Sequence, residues 1–283
     1  MAATFPRTVV GGISLPRMII GTNWILGYSH TSVSADAYIK KIYCDADPIC
    51  ELLEAYLSGG VDAIMAPYSQ NPILHEAVKR TEDKTGKGII VIDTPIINVG
   101  DSEADRREAE ATIKASKESG ASLCLPHHSS VEELVNKHSR TINRLPDYLQ
   151  MIRDNGMVPG LSAHMPELVV YSDANEYDVQ TYIQLYNCMG FLMQVEVEYI
   201  SKVIWEAKKP VIAIKPMAAG RVSPYVGLSF NYATLRDCDM VAVGAFTPAE
   251  ALEDIEISLA AIERRRPELE GRSSPNKTAI MQD

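Results

Sequence analysis

The chain has 283 residues, 46% of them apolar, 23% charged and 7% aromatic, the composition of an ordinary globular domain large enough to bury a substantial core. Lys and Arg total 27 against 37 for Asp and Glu, a net charge of -10; the one dense cationic run, Arg264-Arg265-Arg266, closes a helix-patterned segment, so no nucleic-acid surface is expected. Five scattered cysteines without a CxxC pair, no apolar run of signal-peptide length and no stretch of the ~20 apolar residues a membrane helix needs point to a cytoplasmic protein without disulfides, zinc knuckle or membrane partner.

Along the chain, Thr8 to Leu15 reads as a small hairpin turning at Gly11-Gly12. Short apolar runs then alternate with longer segments of helical period. The runs are Met18–Gly21, Val61–Ala66, Gly88–Ile92, Ala121–Leu125, Met157–Leu161, Val179–Leu185, Pro210–Ile214 and Met240–Gly244. Each is apolar on both faces, as parallel strands covered by helices are. The intervening helices have legible ends. One starts at Pro48 behind Asp47 and stops at Gly59-Gly60, one runs from Glu103 to Lys117, and one runs from near Pro146 to Asn155-Gly156. The last opens on the capping box Thr247-Pro248-Ala249-Glu250. Eight strand–helix units in this length predict a single (β/α)8 TIM barrel over residues 1–266, the N-terminal β-hairpin capping its bottom, followed by a polar tail over 267–283. A doubly wound open sheet is the alternative.

In such a barrel, chemistry gathers where the strands end. The first strand is followed by Thr22, Asn23 and Trp24 and then by a long insertion with His30, Asp36, Tyr38 and Tyr43, long enough to form a lid. Tyr68 follows the second strand, Asp93 the third, His127 and His128 the fourth, His164 the fifth, Gln184 and Asn187 the sixth, and Lys215 and Arg221 the seventh. Asp93, His127 and His164 on neighbouring strands suit proton transfer, or a divalent metal with positions left open for water and substrate. If the fourth strand continues, His127 and His128 point to opposite sides and at most one faces the pocket. Lys215 shares a strand face with Val211 and Ala213, an apolar setting that lowers an ammonium pKa and suits an acid, a base or an imine former; pairing with Asp93 is the competing reading. Gly220-Arg221 and Gly244 to Thr247 lie where barrels often hold an anion. His75, His138, Cys50, Cys238 and Trp205 fall in helix-patterned segments and are expected to be structural.

The order and texture of these segments resemble the aldo-keto reductase superfamily. The resemblance covers nearly the whole chain. It rests on the leading hairpin and IIGTNW, on GGVDAIMAPY before a helix, on LCLPHHSS, on PGLSAH, on QLYN, on IAIKPMAAGR, and on VGAFTPAEALED before the last helix. The resemblance implies a (β/α)8 barrel binding NADPH across its mouth, with a catalytic Asp, Tyr, Lys and His. Here His127 alone has an obvious counterpart. Met65-Ala66-Pro67 stands where the aspartate belongs, Tyr68 is out of the usual spacing, and the third strand ends Ile92-Asp93-Thr94 with no lysine. A tyrosine without its cationic neighbour donates a proton slowly.

The leading expectation is therefore acid–base isomerase or lyase chemistry on a small hydroxylated or carbonyl-bearing metabolite. In it His127 and His164 exchange protons, or hold a metal with Asp93, and Lys215 stabilises developing charge. Asn23, Trp24, Tyr68, Gln184, Asn187 and Arg221 contact the substrate. NADPH-dependent carbonyl reduction is the first alternative, and a non-catalytic ligand-binding barrel the second.

Overall fold

The computed structural model describes residues 5–269, so all but the first three residues of the expected tail lie outside it. The chain opens with an antiparallel hairpin, β1 (Arg7–Val10) and β2 (Ile13–Pro16), joined by Gly11 and Gly12 at φ 55° and 87°, both left-handed as a tight hairpin turn requires. It continues β3 (Met18–Gly21), α1 (Asn23–Leu26), α2 (Val33–Ile42), α3 (Asp47–Ser58), β4 (Ala63–Ala66), α4 (Pro72–Thr85), β5 (Ile90–Asp93), α5 (Glu103–Glu118) and β6 (Leu123–Cys124). After a short α6 (His128–Val131) and a small hairpin, β7 (Val135–Asn136) and β8 (Thr141–Ile142), come α7 (Leu145–Asp154), β9 (Val158–Pro159), β10 (Leu161–Ala163) and α8 (Glu167–Ala174). The remaining elements are β11 (Tyr182–Leu185), α9 (Val197–Glu206), β12 (Val211–Ile214), α10 (Pro224–Thr234), β13 (Met240–Val243) and α11 (Pro248–Glu263).

The main sheet is parallel throughout and ordered β10-β11-β12-β13-β3-β4-β5-β6-β9. Its two ends are consecutive in the chain, because β9 pairs with β6 while β10 pairs with β11 and only Gly160 separates them. The fifth barrel strand is thus one strand broken at a glycine, and the ring closes through it. Gly160 has no room for a side chain: a Cβ there would sit 2.6 Å from Leu125 Cγ and 2.8 Å from the Thr181 carbonyl oxygen.

The alternation of each strand sorts its side chains between two cores. Ile19, Ala63, Ile92, Leu123, Val158, Ile183, Ile212 and Met240 fill the barrel interior, and Val10 and Leu15 of the hairpin plug it from below. Met18, Ile64, Val91, Tyr182, Val211 and Val241 face the helical ring. The hairpin is seated by Gly11, whose absent side chain lets Val158 Cγ1 approach to 2.5 Å of the Cβ position.

Several expectations shift. The fourth apolar run shrinks to Leu123–Cys124 and the sixth begins at Tyr182. His138 lies in the turn between β7 and β8 and Cys238 in a turn before β13, where helices were expected. The last helix is capped by Thr247, whose Oγ1 accepts from the Glu250 amide at 3.2 Å, but the expected capping box is not closed: Glu250 Oε2 accepts from the Phe246 amide at 2.7 Å in place of the Thr247 amide.

Ring closure at Gly160 gives a direct test. Gly160→Ala should lower stability by roughly 1–3 kcal/mol, seen as a lower urea midpoint at unchanged slope; an unchanged midpoint would show that the barrel does not close through this contact.

Candidate active site at the barrel mouth

Strand ends and the first insertion enclose a cavity of about 470 Å³ at the C-terminal mouth. Asn23, His30, His127, His128, Ser162, His164 and Lys215 line it, over a floor that includes Met65, Ile183, Ile214 and Ala242, and no Asp or Glu is among its lining residues.

Lys215 reaches this cavity by breaking a rule. Alternation along β12 puts Ile212 and Ile214 on the interior side and Val211 and Ala213 on the helix side, so a continued strand would turn residue 215 outward. Instead Lys215 adopts φ 58°, a left-handed conformation costly for a residue with a Cβ, and its side chain swings into the mouth. There Nζ donates to His30 Nε2 at 2.8 Å, and Asn23 Nδ2 lies 3.3 Å from the same nitrogen. Two donors on one nitrogen require His30 to carry its proton on Nδ1. Burial lowers the Lys215 pKa from 10.5 to about 8. His30 is held below its ordinary value first by burial and then by the Lys215 charge.

Three further imidazoles form a stack across the mouth. The His128 and His164 ring centroids are 3.6 Å apart with planes 18° from parallel, and those of His127 and His128 are 4.2 Å apart. The expectation that only one of His127 and His128 faces the pocket is corrected. The strand ends at Cys124, and His127 caps α6, so a helical turn replaces the strand alternation. His127 Nδ1 is 2.8 Å from Ser129 Oγ. Burial and then the neighbouring His128 push the His127 pKa down to about 4; burial, His128 and Lys215 push His164 down to about 3. Glu132 stands behind the stack, Oε2 3.6 Å from His128 Nδ1 and Oε1 accepting from the amides of His164 at 2.6 Å and Met165 at 2.8 Å. At neutral pH the mouth therefore offers the neutral imidazoles of His127 and His164 and an ammonium with no carboxylate against it, a setting for a carbonyl or anionic oxygen.

Other expected residues are placed elsewhere. Asp93 shares the outward face of β5 with Val91; it is fully buried, and Oδ1 accepts from the amides of Tyr68 at 2.7 Å and Ser69 at 3.3 Å. It shapes the loop after β4 and meets neither Lys215 nor the histidines. Among the described residues no three His, Cys, Asp or Glu side chains are grouped to hold a metal, so the metal trio of His127, His164 and Asp93 is not assembled. The Tyr68 ring packs on His75 with centroids 4.3 Å apart, and burial pushes its phenol up to about 12. Gln184 is buried on the Tyr182 face of β11. Asn187 clamps its own loop through the amides of Met189 at 3.2 Å and Phe191 at 2.8 Å. The Arg221 guanidinium lies over Phe191 at 4.1 Å and donates to the His30 carbonyl at 3.2 Å, so it supports the insertion instead of lining the mouth.

A second cavity of about 530 Å³ adjoins the first, with Trp24, Met217, Gly220, Gly244 and Phe246 on its walls and Glu250, Glu253 and Asp254 at its α11 side. The two share a boundary. Asn23 and Lys215 line the mouth while Trp24 and Met217 line this groove, and β3 and β13 close up between them, a Cβ on Gly21 meeting the Gly244 amide nitrogen at 3.1 Å. Flat aromatic walls and carboxyl groups suit the rings and ribose hydroxyls of a nucleotide. No Lys or Arg lines the groove, so neither the pyrophosphate nor a 2′-phosphate of a nicotinamide dinucleotide finds a cationic partner within it.

The sequence matches no protein-family model and no curated protein. Among solved structures the fold is similar to that of a Pseudomonas aeruginosa protein assigned to the aldo-keto reductases, with TM-score 0.65 and 13% identity over 92% of this chain and 98% of that one. It is similar to aldose reductase from Giardia lamblia, at TM-score 0.54 and 14% identity over 98% and 91% of the two chains. It is also similar to an aldo-keto reductase from Klebsiella pneumoniae in complex with NADPH, at TM-score 0.53 and 14% identity over 95% and 92%. The chain thus has the aldo-keto reductase fold, a (β/α)8 barrel with an N-terminal hairpin, at identities that speak to fold alone.

The buried ammonium carries a stability signature. Its pKa falls from 10.5 to about 8 on folding, so the native state binds fewer protons than the unfolded chain between those values and stability rises with pH across that window; below about 8 the whole penalty is present. Lys215→Met should therefore stabilise the protein at pH 7 by roughly 1–3 kcal/mol. The gain should vanish near pH 10.5, as denaturation at several pH values would show. A gain independent of pH would contradict the buried charge.

Proposed function

We propose that the protein is an enzyme of the oxidoreductase class that acts on the carbonyl group of a small polar metabolite, with the substrate in the mouth and a nicotinamide dinucleotide in the adjoining groove. One observation carries the reading: a carboxylate-free lysine–imidazole mouth and an aromatic-walled groove meet along the Gly21 to Trp24 segment and the end of β12. The likeness to barrels of the aldo-keto reductase kind, one of them in complex with NADPH, supports it.

In this reading Lys215 takes the place of the missing tyrosine. Its ammonium has three N–H bonds; one goes to His30 and two remain for a substrate oxygen. Charge that develops on that oxygen meets an ammonium, the Asn23 amide and the free Nε2–H of His127 in a buried setting, where such interactions are strong. His30 fixes the lysine and the ring stack excludes water. The Trp24 and Phe246 faces and the bare backbone at Gly220 and Gly244 would hold the dinucleotide, which supplies a hydride when bound.

A second reading, acid–base isomerase or lyase chemistry without a cofactor, is favoured by the absence of a phosphate partner in the groove. Neutral His127 and His164 would then act as bases, Lys215 holding the enolate-like oxygen.

Carbonyl reduction with Lys215 as donor predicts a rate that falls as pH rises through about 8. Lys215→Ala should lower kcat by roughly 10²–10⁴-fold, and Lys215→Arg should move the fall to higher pH. A panel of aldehydes and keto acids, followed by nicotinamide absorbance, checks both. Cofactor-free turnover of a substrate, with no nicotinamide oxidation on any panel member, would give the assignment to the second reading, and saturable binding without product would make the barrel a ligand carrier.

A further inference from the structure

Lys215 is aimed into the mouth against two backbone preferences. A residue before proline prefers an extended backbone, and a residue with a Cβ avoids the left-handed region. Lys215 precedes Pro216 and sits at φ 58°, and Ala218 and Ala219 follow at 48° and 54°. The turn is held by the Ala218 amide, which donates to the Lys215 carbonyl at 2.9 Å. Strain retained in this way marks a side chain whose position is used.

The surroundings of Nζ favour an amine over an ammonium. Two carboxyl groups stand beside the mouth, and both are committed elsewhere. Asp36 of the insertion accepts from the Ser29 amide at 2.8 Å and from the Ser29 hydroxyl at 2.6 Å, and Glu132 accepts from the His164 and Met165 amides. What meets Nζ is the Nε2 lone pair of His30 at 2.8 Å. A neutral amine keeps that bond through one N–H and turns its own lone pair to the cavity. Burial brings the lysine pKa to about 8, so about a tenth of the molecules hold the free amine at pH 7, against roughly a thousandth or less for an ordinary lysine.

We propose that Lys215 forms a covalent imine with small aldehydes or ketones admitted to the mouth, an activity distinct from hydride transfer. The Nζ lone pair attacks the carbonyl carbon, the C=O π pair moves to oxygen, and one N–H proton crosses to that oxygen to give a carbinolamine. The C–O bond then breaks as the nitrogen lone pair forms C=N, and the second N–H proton leaves with the oxygen as water. Amine and carbonyl become imine and water, with no oxidant, reductant or nicotinamide. His30 Nε2, which already accepts from Nζ, is placed to carry the first proton; burial and the Lys215 charge hold its pKa below the ordinary value, so it gives that proton up readily.

Trapping on the full chain tests this without turnover. Acetone with sodium cyanoborohydride, at pH 7, with limited exposure and no nicotinamide, fixes an imine as a stable secondary amine that peptide mapping locates. Lys215 should be labelled at least about tenfold faster than an exposed lysine such as Lys202. On the intact protein, 2,4-pentanedione should condense with the same amine, losing water to give an enaminone read by its near-ultraviolet absorbance. Lys215→Arg keeps the charge but has no attacking amine, and should lose that absorbance down to the background of surface lysines, with a thermal midpoint near that of the parent. Labelling of Lys215 no faster than Lys202, or enaminone undiminished in a folded Lys215→Arg, would overturn the imine. The peptide map of the parent decides by itself if the variant does not fold. Nicotinamide-linked reduction without selective labelling would overturn the imine and leave the ammonium-donor reading standing, whereas selective labelling without such reduction would support the imine and remove that reading.

Discussion

Everything in this molecule depends on a parallel sheet having no free edge. A strand's unpaired amides and carbonyls must find partners, and this chain finds the last of them by splitting one strand across two neighbours. β9 completes the ladder of β6 and β10 begins that of β11, with Gly160 passing between Leu125 and the Thr181 carbonyl at distances no side chain tolerates. Closure fixes which side chains point inward, and the inward ones at the upper rim become the site. Ser162 and His164 reach the mouth because Leu161 and Ala163 face the helices.

The rim is organised around an uncompensated ammonium. Lys215 enters by a left-handed backbone turn, and it meets imidazoles that burial keeps neutral. Its nearest partner is the Nε2 of His30, supplied by the insertion after β3 and braced by Arg221 on the His30 carbonyl. A carboxylate in this place would satisfy the charge and leave nothing for a substrate oxygen. The carboxyl groups stand instead in the neighbouring groove, around Asp254, or behind the ring stack, at Glu132. The two cavities thus differ in charge, an ammonium in one and carboxyl groups in the other.

The barrel was legible in the sequence because strand–helix alternation recurs with glycine-ended helices, and the hairpin because Gly11 and Gly12 permit its turn. Asn23, His127, His164 and Lys215 were legible as strand-end residues that reach the mouth. Asp93 and Gln184 were misplaced because a strand end names two faces, and both sit on the outward one with Val91 and Tyr182. A carboxylate there binds loop amides. His128 was hidden by a strand that stops earlier than its apolar run, and the groove's Asp254 by a helix pattern that reads as solvated charge. His30 was legible only as one residue of a long insertion: its contact with Lys215 lies 185 residues away along the chain.

The packed imidazoles have a consequence for survival in acid. His127 and His164 titrate near 4 and 3 in the folded protein but at the ordinary 6.5 once unfolded, so the denatured chain gains protons first as the medium sours. Native stability from these two rings begins to drain away below about 6.5 and continues to do so down to about 3. The same desolvation that readies the mouth for chemistry at neutrality makes this barrel acid-labile.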